Sequence, residues 1–169
     1  MYSKVKIMGH PVHPMLVNFP IAFYVSTLIA FIIYSIFGDP FWFWVGLAAN
    51  FAGVAMAFVA ATFGFIDWTF GIPYGSAAKD TGAKHMLLNI VSLLLFITCL
   101  ILNAGQWNAI LPVARGIVIL PLFGVILTIG AGYFGWTLVQ NHHVGVEFSP
   151  DEERCISESR SAGFTRDTV

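Results

Sequence analysis

Charge is what this sequence lacks. Only 10% of its 169 residues are charged, against roughly 25% in an ordinary globular domain. Six of the nine acids and three of the eight bases are crowded into Glu147–Val169, leaving three acids and five bases for everything before them. No water-facing surface can be built from so few. Cysteine is equally scarce: Cys99 lies in an apolar run and Cys155 in the polar tail, which excludes a disulfide framework or a CxxC metal motif. There is no Gly-rich phosphate loop, no GxSxG, no HExxH and no basic stripe, so nothing supports an ATP-driven pump, a hydrolase or a nucleic-acid binder.

What the sequence has instead is long apolar runs. Ile7–Gly38, Pro40–Ile66, His85–Ala114 and Gly116–Val146 contain no Asp, Glu, Lys or Arg. Each exceeds the ~20 residues that a helix needs to cross a bilayer core. The expectation is an all-α membrane protein, a four-helix bundle over residues 1–146 with spans near Met15–Phe37, Phe41–Ile66, His85–Asn103 and Gly116–Val139. Barrel strands would need alternating ten-residue segments, and none is seen. Gly38-Asp39-Pro40 reads as a tight turn. The tail 147–169 is polar without periodicity and is expected to be disordered.

Lys4, Lys6, Lys79, Lys84, Arg154, Arg160 and Arg166 fall on one side of the spans and Arg115 on the other. The positive-inside rule then predicts cytoplasmic termini. No small-residue cleavage site follows an early apolar core, so the first span is expected to serve as its own anchor.

In so apolar a chain the titratable groups near the spans are the candidates for function. His10 and His13 precede span one, Asp67 ends span two, His85 opens span three, and His142 and His143 close span four. Four spans put all of these at one membrane face. Imidazole is the commonest metal ligand and also serves haem iron. His10 and His13 each precede a proline, which disfavours the α region, so an extended HPxHP segment is expected. Asn89 lies four residues after His85, on the same helix face, placed to orient the imidazole or a ligand. Small residues form stripes at Ala49, Gly53, Ala57 and Ala61 in span two, with Gly64 close behind, and at Gly124, Thr128 and Gly132 in span four, flanked by Gly130 and Gly135. Such stripes allow close helix approach or leave room for a flat macrocycle. Lys79, Lys84 and Arg115 are expected to snorkel at the interface, the two lysines near enough to His85 to meet haem propionates.

The segments "HPVHPMLVNFPIA" (10–22), "GFIDW" (64–68), "HMLLN" (85–89) and "GWTLVQNHHVGV" (135–146) resemble an uncharacterised bacterial four-helix integral membrane family. Its members open with an HPxHPxxVHFPIA-type motif and close with an HGVGV-type motif. The resemblance implies a four-span domain in a bacterial cytoplasmic (inner) membrane and brings no established activity. Position by position, the motif residues here are His10, His13, Asp67, His85 and His142. Asn18 stands where the family usually has His, and His143 where it usually has Gly.

The leading expectation is a b-type haem protein for electron transfer, with one or two bis-His haems held by His10, His13, His85 and His142. A redox partner or a quinone would accompany it. The alternative is a non-haem Fe, Zn or Cu site using these histidines and Asp67. The third reading is a non-catalytic membrane scaffold. Oligomeric state is left open, since small-residue stripes serve helices within or between chains.

Overall fold

The computed structural model describes residues 3–146 and 148–161, without the Arg160 side chain. Two short strands, β1 (Lys6–Ile7) and β2 (His10–Pro11), pair antiparallel. The helices are α1 (Val12–Leu16), α2 (Asn18–Phe37), α3 (Pro40–Gly71), α4 (Ala77–Asn103), α5 (Ile119–Gln140) and α6 (Pro150–Ser161). Four helical stretches, Val12–Phe37, Pro40–Gly71, Ala77–Gln106 and Ile119–Gln140, are long and apolar enough to cross a membrane. This is an integral membrane four-helix bundle.

The expected spans are present, but α3 and α4 overrun them. At 1.5 Å per residue the 32 residues of α3 extend about 48 Å, well beyond a hydrocarbon core of about 30 Å. The excess lies at the end of the bundle that carries both termini, called here the terminal end. His85, expected to open its span, therefore sits eight residues inside α4, after the Ser76 cap whose Oγ accepts the Lys79 N–H at 3.2 Å. At the far end the Gly38 turn is as expected. Gly38 has φ 70° and closes α2 through Tyr34 C=O, and Asp39 caps α3 by accepting the Phe41 N–H. The longer far-end connection is pinned by Asn103, whose side chain donates to Arg115 C=O and accepts from Arg115 N–H.

The extended HPxHP segment holds through His10 and Pro11 and ends at Val12, where α1 begins. His13 is helical, although it precedes Pro14. Pro14 falls in the first turn of α1, where backbone N–H groups have no helical partner in any case. The side-chain hydrogen bond described below offsets the steric bias against a helical residue before proline. The α1–α2 break at Val17 has its own cause: Pro20 has no N–H for Leu16 C=O, so the ladder is interrupted there. The tail also differs from expectation. Ser149 and Glu152 form a reciprocal capping box, with Ser149 N–H on Glu152 Oε2 at 2.8 Å and Glu152 N–H on Ser149 Oγ at 3.3 Å. Pro150 follows the cap and Asp151, Glu152 and Glu153 fill the first turn of α6, all of which favour a helix start. The rest of the expected disordered tail, residues 162–169, lies outside the described residues.

Helix α2 packs mainly on α3 and α4 on α5; the two pairs meet along α3–α4 and α2–α5. The interior is filled at the far end by Phe31, Phe43, Leu47, Cys99 and Ile117, and at mid-depth by Tyr24, Val54 and Phe96. Large apolar side chains such as Phe51, Phe58, Leu94, Ile101 and Ile129 point outward, as they should where the solvent is lipid. At the terminal end the packing opens into a cavity.

Candidate cofactor site

The cavity has a volume of about 530 Å³ and is bounded by all four spanning helices. Its walls include the terminal ends of both small-residue stripes: Ala57, Ala61 and Gly64 from α3, and Thr128, Gly132 and Gly135 from α5. His13 and His85 face each other in it, with ring centroids 6.3 Å apart and planes crossing at 87°.

Each imidazole is held in the same way. His13 Nδ1 lies 2.8 Å from Ala60 C=O, and His85 Nδ1 lies 2.8 Å from Ala131 C=O. A carbonyl only accepts, so both rings carry their hydrogen on Nδ1 and keep a lone pair on Nε2. That is the tautomer of a metal-ligating histidine whose second nitrogen is tied to a carbonyl. Each ring also lies against a glycine. A Cβ at Gly64 would come within 2.7 Å of His13 Cε1, and one at Gly135 within 3.2 Å of His85 Cε1. Asn89 donates from Nδ2 to His85 Nε2 at 3.1 Å and to His85 C=O at 2.9 Å, so it does address this imidazole.

The contacts of the first hairpin recur in the second. His13 and His85 are 72 positions apart, as are Tyr24 and Phe96, which stack with centroids 3.6 Å apart. Gly53 lies under Tyr24 as Gly124 lies under Phe96, and Ala60 and Gly64 match Ala131 and Gly135, each 71 positions on. The echo is legible as "AATFGF" (60–65) against "AGYFGW" (131–136), a parallel internal repeat that motif reading missed because so few positions are shared. The pattern is broken at Tyr24, whose hydroxyl is buried at the inner end of the cavity with no partner among the described residues.

The other candidates sit elsewhere. His10 is exposed on β2 and does not line the cavity. His142 Nε2 lies 3.3 Å from Thr81 Oγ1, also outside the lining. His143 has φ 51°, a conformation that favours glycine but in which His is also enriched. Asn18 is exposed, away from the cavity. Asp67 reaches the mouth of the cavity, yet both its oxygens hold the N-terminal segment. Ser3 Oγ donates to Oδ2 at 2.6 Å, and the Lys4 and Val5 N–H groups donate to Oδ1 at 2.7 and 3.3 Å. Lys79 is buried rather than snorkelling: its ammonium donates to Trp68 C=O, lies 4.1 Å over the Trp68 ring, and closes the last turn of α3. Lys84 and Arg115 are exposed. Among the described residues, no three His, Cys, Asp or Glu side chains converge as a metal cluster.

No curated protein and no solved structure matches the chain. A family model does, described as "Predicted membrane protein (DUF2231)" and matching residues 9–148, a range that takes in every helix bounding the cavity. The chain belongs to this family of membrane proteins.

Proposed function

We propose that the protein is a membrane-embedded b-type haem protein carrying electrons near the cytoplasmic face, with His13 and His85 as the residues that would hold one haem. The carrying observation is the imidazole pair itself. With metal–nitrogen bonds of about 2.0 Å and roughly another 1 Å from each nitrogen to its ring centre, two rings facing one ion have centroids about 6 Å apart. The separation in the structure is 6.3 Å. A bare zinc, iron or copper ion takes three or four protein ligands, whereas a haem supplies four nitrogens of its own and asks the protein for two. The engagement of Asp67 by Ser3, Lys4 and Val5 likewise speaks for haem over the non-haem alternative.

A haem held by these two imidazoles would supply a one-electron centre suited to electron transfer. The chain's own part is to hold Nδ1–H on the Ala60 and Ala131 carbonyls, present Nε2, and exclude water with apolar walls. Asn89 would surrender its bond to His85 Nε2 and keep the one to His85 C=O. The Lys and Arg distribution supports a cytoplasmic position for this end of the bundle.

Absorption spectroscopy of detergent-purified protein supplied with haem tests the reading. A low-spin Soret band is expected, lost in His13→Gln and His85→Gln and retained in His10→Gln and His142→Gln. A wild-type protein that takes up no haem, or a His13→Gln spectrum identical to wild type, would sink it.

A further inference from the structure

We propose that Asp67 is a positioning residue: its carboxylate latches the N-terminal strap, Ser3–Pro11, over the cavity mouth, fixing His13 and retaining what the cavity holds. The retention half rests on the haem reading; the latch does not. Ala60, Gly64 and Asp67 are spaced four and three apart on α3 and so share a face. Ala60 holds the His13 ring, Gly64 beds it, and Asp67 gathers three donors from the strap. The strap then turns through Met8 and Gly9, at φ 51° and 83°, so that Lys6–Ile7 can pair with His10–Pro11. Val12 N–H donates back to Val5 C=O at 3.1 Å. A continuous path therefore runs from the carboxylate through the backbone N–H and C=O of Val5 to Val12 and on to His13.

The strap covers the cavity as well as bracing the ligand. Ser3 and Pro11 are part of its lining, and Ser3 is 7% exposed although it lies so near the chain start. Among the described residues the second hairpin has no matching carboxylate, since the position 71 after Asp67 is Leu138. His85 is approached instead by the continuous helix α4. The first half thus carries a detachable piece where the second carries a rigid one, and a carboxylate is suited to hold it because hydrogen bonds to ionised acceptors are the strong ones.

Hydrogen exchange of haem-free, full-length protein in nanodiscs reads the latch, and haem transfer to an apoprotein acceptor reads retention. In Asp67→Ala, exchange at Lys4, Val5 and Val12 is expected to speed up about tenfold or more, and haem loss about tenfold, with the Soret band preserved. Asp67→Asn keeps an oxygen acceptor for the two amides and is expected to stay within about threefold of wild type. Unchanged exchange in Asp67→Ala would overturn the latch. Loss of haem in Asp67→Asn with the strap still protected would make Asp67 a ligand and overturn the proposal too. Should Asp67→Ala not fold, Ser3→Ala removes one bond and must accelerate exchange in the same direction, or the latch is refuted. A wild type that binds no haem while Asp67→Ala frees the strap would dispose of the haem reading and leave the latch standing.

Discussion

His13 and His85 owe their orientation to the residues under them more than to their own type. A carbonyl fixes one nitrogen and a glycine fixes the plane. Gly64→Ala would place a methyl 2.7 Å from the His13 ring, closer than a Cβ tolerates, while Gly135→Ala would meet His85 at 3.2 Å. The first should cost about 1–3 kcal/mol of stability and displace the ring, the second less, since a few tenths of an ångström suffice there. Thermal unfolding in detergent, with haem uptake measured alongside, checks the order. These glycines were legible only as small-residue stripes. Which neighbour each one admits depends on a partner helix far away in the chain, so no local pattern shows it.

Among the elements, α6 shows how a short signal can be overlooked inside a polar tail. "SPDE" (149–152) is a capping box with proline at the first helical position, and composition alone hides it. The Ser149 backbone N–H and hydroxyl hold the Glu152 carboxyl below the usual carboxylate range. A depressed folded value means that this contribution to the helix is present above the ordinary carboxylate range and is lost as pH falls through the folded value. NMR titration should find Glu152 titrating below the ordinary carboxylate range, and Ser149→Ala should return it toward that range. The apolar runs located the spanning helices but not their ends. Helices α3 and α4 continue past their charge-free runs because Ser76 caps α4 and the buried Lys79 ammonium satisfies the last carbonyls of α3. The lysine that looked like an interface anchor is in fact a helix cap.

The whole molecule repeats one plan: a histidine on the first helix of a hairpin bonds to a carbonyl on the second and rests on a glycine there. If the two imidazoles are equivalent ligands, His13→Gly and His85→Gly should impair haem binding alike, and free imidazole should restore the low-spin spectrum in both. Restoration in one alone would show that the repeat is structural without being functional. Sequence alone determined the solvent, the number of spans and the end at which the histidines gather, because a bilayer reads hydrophobicity along one dimension and run length is local. Tertiary structure decided which histidines meet. The rotation and depth of each helix are set by side chains meeting across the bundle, as Tyr24 stacks on Phe96 and Asp67 gathers the N-terminal strap. Of six titratable groups near one face, that packing turned two imidazoles toward a common centre, left His10 and His142 outside it, and gave the aspartate a strap to hold.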